Sequence, residues 1–268
     1  MVSQLKNILR EIHGSLEIFG IDLRKMFNSL RGIPYYLRDL KILKGQRGAS
    51  VKKFPFGKHY PCLDERFAQS GSAKGHYFHQ DLLVARRINF NNPSIHADVG
   101  SRVDGFVAHV ASFRQINIFD IRPLSTTIPN VHFIQADMMS PISEDYIGYC
   151  DSLSCLHALE HFGLGRYGDP VNYDGYILGL NNLHQILKAN GKLYFSVPIG
   201  PLRIEFNAHR VFSISFLLEC FAGKYQIDRF SFVDDQGHLH EDVFITEESV
   251  IDNFGCAYGC GIFEMTKL

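Results

Sequence analysis

From residue 95 onward, short apolar runs alternate with stretches of helical periodicity and with glycine-containing turns. Apolar runs bounded by turn residues predict strands, which we place at 95–99, 116–121, 131–134, 149–153, 192–197, 226–233 and 262–266. Residues 176–188 have helical spacing and are followed by Asn190 and Gly191, which are typical of a helix end. Strands that alternate with helices form parallel pairs through right-handed crossovers. The pattern therefore predicts an α/β fold with a mostly parallel sheet and helices on both faces.

The first 45 residues differ from this pattern, because their apolar side chains recur at helical spacing: Leu5, Ile8, Leu9, Ile12, Leu16, Ile18 and Phe19. We expect Gly32 and Pro34 to interrupt the helical run, since proline lacks the amide that a helix interior needs. A second amphipathic stretch begins at Tyr35, and residues 46–75 are rich in Gly, Lys and Pro, as in a linker. The sequence thus predicts a helical arm with its linker at 1–75 and the α/β domain at 76–268.

Charge separates the two regions. Residues 1–58 contain twelve Lys or Arg and four Asp or Glu, a net charge of +8, whereas the remainder carries −9. A basic helix with Tyr and Leu on its other face can make a peripheral contact with an anionic membrane. The alternative is a helical hairpin that caps the α/β domain. The net charge of −1 gives no reason to expect a nucleic-acid partner.

The cysteines and the absence of targeting patterns bear on location. The six cysteines are scattered, which indicates reduced thiols and no disulfide framework. The N-terminus lacks the pattern of a signal peptide, and no apolar run approaches the length of a membrane span. We therefore expect a cytoplasmic protein, with the basic arm available to contact the inner face of the membrane.

The first turn of the α/β region predicts a nucleotide-type cofactor site. A strand ends in Asp98 and turns through Gly100 and Ser101, which would leave backbone amides and a helix N-terminus facing a ligand. Acids also end the next two predicted strands. Asp120 is placed to bind the ribose hydroxyls, and Asp137 to accept a hydrogen bond from adenine. Each acid alone is more often a cap or turn residue, but three at successive strand ends favour a nucleoside site.

Arg102 distinguishes between cofactor classes. A dinucleotide fingerprint needs a second glycine at this position, where the backbone must approach a pyrophosphate. S-adenosylmethionine has no pyrophosphate, and the Arg102 guanidinium can instead pair with its methionine carboxylate. The alternative is that this side chain occludes the site.

A second motif, His157-x-x-Glu160-His161, follows the fourth predicted strand and has the spacing of an inverted zinc-protease motif. That chemistry needs a long helix, and three glycines within the next seven residues end any helix. We therefore expect no metal ion here. We interpret His157 and Glu160 as cofactor-facing groups and His161 as an alternative catalytic base, whereas His76 and His79 look unrelated to the motif.

The glycine-rich loop at 163–170 carries three polar side chains that can reach a ligand. We predict that Arg166 and Tyr167 bind the substrate and that Asp169 is a further alternative base. The competing interpretation is an irregular connection without a functional role.

Residues that follow the fifth predicted strand complete the candidate site. His209 is our first choice for the general base, since imidazole titrates near neutral pH. Arg210, together with Arg166, would hold a phosphate or carboxylate of the acceptor, and Asn207 would also contact it. The structural alternative is a His–Arg pair that binds loop carbonyls.

The Asp98-x-Gly100 start and the later strand pattern resemble class I S-adenosylmethionine-dependent methyltransferases. The segments 156–170, 187–198 and 206–210 resemble an uncharacterised domain family of unknown function over about residues 90–235. That family is classed with the methyltransferase-like Rossmann folds and is often encoded among polysaccharide-biosynthesis genes.

The resemblance implies a Rossmann-like domain that binds S-adenosylmethionine, with the methionine part held by Asp98, Gly100, Ser101 and Arg102. It further implies an O-methyltransferase that acts on a sugar or glycan intermediate, either a small molecule or lipid-linked, in surface polysaccharide biosynthesis. Fold analogy transfers activity poorly. A glycosyltransferase or other sugar-nucleotide enzyme, and a degenerate non-catalytic domain, therefore stay as alternatives.

Overall fold

The computed structural model describes residues 15–52 and 54–268. The helical spacing noted before residue 15 lies outside this range. The chain divides into two compact units, Met1–Ser72 and Ala73–Leu268. In the described residues, no helix combines the length and the apolar character that a bilayer span requires.

The first unit is built on helix α1 (Leu23–Gln46). The helix begins after Asp22, whose carboxylate accepts a hydrogen bond from the Lys25 amide at 2.9 Å. Such a side chain satisfies an amide that the first helical turn leaves unpaired. The segment after the helix returns along it, and Arg66 pairs with Asp39 of the helix at 2.8 Å.

The predicted interruption at Gly32 and Pro34 is wrong, because α1 continues through both residues. Proline removes one helical hydrogen bond, and a helix of 24 residues keeps the others. Gly32 is buried, and a Cβ at this position would lie 2.0 Å from the carbonyl oxygen of Leu63. The glycine therefore permits close packing of the returning segment and does not end the helix.

The second unit contains an eight-stranded sheet. Its strands are β1 (His96–Val99), β2 (Ile116–Asp120), β3 (Val131–Gln135), β4 (Cys150–Leu156), β5 (Leu187–Ile199), β8 (Tyr225–Val233), β9 (Leu239–His240) and β10 (Gly259–Lys267). Strands β6 (Arg203–Glu205) and β7 (His209–Val211) form a separate hairpin.

The strand order in the sheet is β3-β2-β1-β4-β5-β10-β8-β9. Strands β1 to β5 pair in parallel, and β10 runs antiparallel between β5 and β8. This confirms the predicted α/β fold with a mostly parallel sheet. The chain reverses its lateral direction between β1 and β4, which is where such sheets bind ligands.

Helices cover both faces of the sheet: α2 (His76–Asn91), α3 (Ala108–Ala111), α4 (Gly175–Ile186), α5 (Ile214–Phe221) and α6 (Glu247–Ile251). One apolar core contains Val84 of α2 and Phe106, and the other contains Leu183 of α4 and Phe221 of α5. Full burial of such a side chain contributes roughly 1.5–3 kcal/mol. Two cores on opposite faces explain why the central strands β1 and β4 are buried along nearly their whole length.

The predicted strands each overlap an observed one. Strand β4 extends to Leu156, so the 157–161 motif begins directly at the strand end. Helix α2 is absent from the predicted elements, because its buried face includes the polar Gln80 and Asp81 among apolar residues. A helix with such a face gives a weak apolar period in the sequence.

Candidate functional site

A cavity of about 260 Å³ lies at the carboxyl ends of β1, β2, β3 and β4. This volume is near the lower end for ligand pockets. Apolar lining comes from Val99, Phe119, Met138, Leu156, Ala158 and Phe162. Nine of the sequence-predicted residues also line it: Gly100, Arg102, Asp120, Asp137, His157, His161, Arg166, Tyr167 and Asp169.

The turn after β1 keeps one wall of the cavity open. Gly100 has a φ of 72°, a backbone conformation that glycine adopts at little cost. A Cβ at Gly100 would lie 2.8 Å from the Cβ of Ala158 on the opposite side. An alanine at this position would therefore be strained and would narrow the cavity.

Asp98 lies fully buried beneath this turn and does not line the cavity. Its carboxylate accepts hydrogen bonds from the Ser101 amide at 3.0 Å, the Ser101 hydroxyl at 2.8 Å and the Ser154 hydroxyl at 2.5 Å. Burial outweighs these bonds and raises the pKa of Asp98 to about 7. Asp98 and Ser101 therefore shape the turn, which corrects the expectation that they contact the cofactor.

The expectation that the turn leaves backbone amides free for a ligand is also corrected. The Gly100 amide donates to the Phe119 carbonyl at 2.9 Å, and the Ser101 amide donates to Asp98. The following segment, Val103–Val107, is irregular, with a non-helical backbone at Gly105. The turn therefore offers neither amide to a phosphate group, unlike the loops that bind pyrophosphates.

Asp120 ends β2 with its carboxylate on the cavity. Its oxygens accept from the Arg122 amide at 2.8 Å and from the Arg122 guanidinium at 3.0 and 2.6 Å. A carboxylate offers about four acceptor sites, so one site is left for a ligand hydroxyl while Arg122 is bound. The Arg122 guanidinium in turn lies 4.6 Å from the ring centre of Tyr167.

Asp137, just after β3, organises a turn while it lines the cavity. It accepts from the Met139 amide at 2.9 Å and the Ser140 hydroxyl at 3.2 Å. This turn places Met138 and Met139 against the same cavity. An acid beside apolar side chains suits a flat heterocycle with an amino group.

Arg102 lies at the rim of the cavity, and its guanidinium makes two bonds to Asp104 at 3.0 and 2.8 Å. Both side chains are more than half exposed. An exposed ion pair contributes little stability, so a carboxylate ligand can replace Asp104. Arg102 does not fill the cavity in this arrangement.

His157 and Glu160 form a buried pair, with 2.7 Å between Nδ1 and Oε1. Burial opposes a charged imidazole, but the neighbouring Cys260 and Glu160 outweigh it and raise the pKa of His157 to about 10. Burial also opposes ionisation of Glu160, and His157 reverses this and lowers the pKa of Glu160. His157 lines the cavity, whereas Glu160 lies behind it.

His161 has the geometry of a general base. Its Nδ1 donates to the Ala208 carbonyl at 2.7 Å, so the neutral ring carries its lone pair on Nε2. That Nε2 is 3.7 Å from Glu160 Oε1, which is beyond hydrogen-bond range. Burial lowers the pKa of His161, which favours the neutral form at neutral pH.

Asp169 organises the glycine-rich loop. One of its oxygens accepts from the amides of Gly163 at 2.8 Å and Gly165 at 3.3 Å, and the other from the amide of Tyr167 at 3.2 Å. Removing a substrate proton would compete with these bonds. The expectation that Asp169 acts as a base is therefore corrected to a role in loop structure.

Tyr167 lines the cavity and contacts the side chains of Arg166 and His161. The guanidinium of Arg166 lies 5.2 Å from its ring centre, and the ring of His161 packs edge-on at 5.3 Å. Arg166 also donates to the Ala208 carbonyl at 3.1 Å. The loop thus joins the candidate base to two cationic side chains.

The hairpin β6–β7 corrects three further predictions. His209 packs on Tyr258 and pairs with Glu205 at 3.0 Å, and it does not line the cavity. Asn207 lies in the exposed hairpin turn. Arg210 is buried and donates to the carbonyls of four residues: Glu160, Phe162, Asn172 and Tyr173. Its guanidinium is occupied, so the structural alternative describes Arg210 better than binding of a substrate phosphate does.

Sequence reasoning missed several residues at the site. Arg122 could have been found from its position two residues after a strand-end acid, whereas Tyr77 gave no signal because α2 was not predicted. His76 was considered unrelated to the motif, yet it begins α2 and stacks on His157 at 5.0 Å. Burial lowers the pKa of His76 to about 4.

Comparison with known proteins shows the fold. Residues 124–247 match the model of a family described as "Caenorhabditis protein of unknown function, DUF268", which is slightly less than half of the chain. No curated protein sequence is significantly similar. Among solved structures, the chain is similar to 1,6-didemethyltoxoflavin-N1-methyltransferase of Burkholderia thailandensis, with bound S-adenosylhomocysteine: 12% identity, 72% of this chain and 79% of that one, TM-score 0.50.

It is also similar to the [4+2]-cyclase SpnF, at 13% identity over 74% of this chain and 85% of that one, with a TM-score of 0.51. One of these two proteins is named as a methyltransferase and the other as a cyclase. The chain therefore has the Rossmann-like fold that these two proteins share, and its chemistry must be argued from its own residues.

Proposed function

We propose that this protein is an S-adenosylmethionine-dependent O-methyltransferase whose acceptor is a sugar or glycan hydroxyl. The observation that carries the proposal is the grouping of strand-end acids, an open glycine turn and a neutral imidazole around one cavity. When bound, the cofactor supplies an electrophilic methyl group on a sulfonium. The protein then has to align the acceptor and take up its proton.

The cavity fits the cofactor in three respects. Asp120 offers an acceptor site for a ribose hydroxyl, and Asp137 with the adjoining methionines suits adenine. Arg102 would exchange Asp104 for the methionine carboxylate. The absence of free amides at Gly100 and Ser101 matters less for this ligand, because it has no pyrophosphate.

His161 would act as the base in place of His209. Its Nε2 carries the lone pair and its Nδ1 is fixed by Ala208, so the ring is held in the tautomer that accepts a proton. Tyr167 holds this ring from the side. Removing a catalytic base typically costs about 10²–10⁴-fold in rate.

Binding experiments test the cofactor first. We expect S-adenosylhomocysteine to bind by calorimetry, and Arg102→Gln to weaken it by about tenfold, near the value of one charge-assisted hydrogen bond. Adenosine lacks the amino-acid part, so its affinity should not change in Arg102→Gln. Asp120→Asn should weaken both ligands, and Arg229→Gln, on β8, is the matched control that should weaken neither.

Two results would overturn the proposal. One is failure of the wild type to bind S-adenosylmethionine or S-adenosylhomocysteine at about millimolar concentration. The other is protection from thermal unfolding by nucleotide sugars alone, which would favour a sugar-nucleotide enzyme. A protein that binds the cofactor but methylates no sugar would contradict the proposed acceptor and would leave the non-catalytic domain as the competing interpretation.

A peripheral membrane contact through α1 is consistent with a lipid-linked acceptor. The helix exposes Phe27, Leu30 and Leu37 among basic side chains. Sedimentation with anionic vesicles should therefore exceed that with neutral vesicles, and Leu30→Glu with Leu37→Glu should abolish the difference. Equal sedimentation would exclude this contact.

A further inference from the structure

Three side chains from distant parts of the sequence meet beside the cavity. His76 begins α2, His157 directly follows β4, and Cys260 is the second residue of β10. One potential donor atom from each lies within 4.8 Å of the other two. Two imidazoles and a thiol are the ligand types that a borderline-soft transition metal such as Zn²⁺ selects.

His157 already has the arrangement of a metal ligand. Its Nδ1 bonds to Glu160 at 2.7 Å, while its Nε2 is buried without a hydrogen-bond partner among the described residues. Histidines that bind metals commonly hold the other ring nitrogen against a carboxylate, which fixes the tautomer and orients the ring. An unpaired buried nitrogen costs stability unless something binds it.

The backbone of His157 adds an independent observation. Its φ is 50°, a conformation that costs a non-glycine residue energy and that clusters at functional sites. The ring is nevertheless held by its bond to Glu160 at 2.7 Å and by Tyr77, which packs on it at 5.1 Å, while His76 stacks on it at 5.0 Å. The strain is retained at the residue that has the unpaired nitrogen.

Binding of one metal ion by all three residues requires the His76 ring to turn out of its stack on His157, because two nearly parallel rings cannot both direct a nitrogen lone pair at one ion. With metal–nitrogen distances of about 2.1 Å and a metal–sulfur distance of about 2.3 Å, tetrahedral ligand atoms lie about 3.5 Å apart. The three donors therefore need to close by about 1 Å, and the movement required is a rotation of the His76 side chain, which is not fully buried. Three protein ligands leave a fourth position for water or substrate.

We propose that His76, His157 and Cys260 form a Zn²⁺ site with Glu160 as the residue that positions His157. Of the two histidines in the inverted zinc-protease motif, only the first, His157, is a ligand in this proposal. His161 is directed to the Ala208 carbonyl and is not a ligand. This proposal departs from the expectation, based on the sequence motif, that the protein holds no metal ion.

The test uses the tag-free full-length protein, freed of metal with a chelator and titrated with Zn²⁺ and with Co²⁺. We expect one equivalent of zinc to bind. The Co²⁺ form should show intense visible bands of tetrahedral geometry and a near-ultraviolet thiolate-to-cobalt band. Loss of the thiol in Cys260→Ser should abolish the thiolate band and weaken zinc by more than about 100-fold, and Glu160→Gln should weaken it by about 10-fold.

Cys256→Ser is the matched control, because Cys256 is also buried and precedes Cys260 by four residues. It should keep both the thiolate band and the affinity. The proposal is overturned if the wild type binds no zinc, or if Cys260→Ser keeps the thiolate band. If Cys260→Ser does not fold by circular dichroism, the wild-type cobalt spectrum decides alone. Binding of S-adenosylmethionine does not enter this test, so its outcome is separate from that of the proposed methyl transfer.

Discussion

The buried carboxyl of Asp98 should make the stability of the fold decrease as pH rises. Burial raises its folded pKa to about 7 despite three donors, against about 3.9 in an unfolded chain. Unfolding therefore releases a proton anywhere between these values, and rising pH favours the unfolded state. This group destabilises the fold progressively as pH rises through that window, which is the opposite of a salt-bridged carboxylate.

The magnitude follows from the two pKa values. Each unit of difference corresponds to about 1.4 kcal/mol, so the contribution of Asp98 should fall by about 2 kcal/mol between about pH 5 and pH 7. The amide introduced by Asp98→Asn cannot titrate, and other groups cancel between the two proteins. The assay is urea unfolding of both proteins. The unfolding free energy of the wild type minus that of Asp98→Asn is plotted against pH, and this difference should fall as pH rises.

Asp151→Asn is a control of opposite sign. Burial opposes ionisation of Asp151, but the amides of Ile95 and Ser94, at 2.6 and 2.7 Å, outweigh burial and lower its pKa. Its contribution should be present at neutral pH and be lost as pH falls through the acidic range. A flat or rising difference for Asp98→Asn would refute the reasoning, because the three hydrogen bonds would then outweigh burial.

Three substitutions check other parts of the site. Gly100→Ala should weaken S-adenosylhomocysteine binding by at least about tenfold in calorimetry, since the added Cβ is strained and narrows the cavity. The control Gly148→Ala should leave the affinity unchanged. An unchanged affinity in Gly100→Ala would contradict the role assigned to the Gly100 turn. Arg210→Met should lower the unfolding free energy by about 3 kcal/mol through lost carbonyl bonds. The control Arg229→Met, at a side chain that is more than half exposed, should change it little; equal values would show that Arg210 is dispensable. Arg122→Gln should tighten adenosine binding by a fewfold, because it frees the strand-end carboxylate, and weaker binding would instead identify the guanidinium as a ligand contact.

The central strands could be predicted because strands buried on both faces read as apolar runs bounded by turns. The same pattern placed Asp120 and Asp137 at one sheet edge, since parallel strands end together. The turn chemistry at Gly100 was also visible in the sequence. The sequence pattern did not show which backbone amides of the turn form hydrogen bonds within the protein. The Gly100 amide, for example, donates to a carbonyl of the neighbouring strand.

Side-chain partners that meet only in the folded chain were out of reach. The sequence favours His209 over His161 as the base, and the decision depends on which one lines the cavity. Cys260 lies far from His157 along the chain, and no spacing rule connects them. Helix α2, which supplies His76, was hidden because polar residues interrupt its buried face.

The buried guanidinium of Arg210 ties the hairpin β6–β7 to carbonyls on both sides of the glycine-rich loop, at Glu160 and Phe162 before it and at Tyr173 after it. The conformations of the loop and the hairpin therefore depend on each other. A chimaera that exchanges residues 157–173 without 203–211 would leave either the arginine or these carbonyls without partners. An exchange of this loop between proteins of the same fold should therefore transfer both segments together.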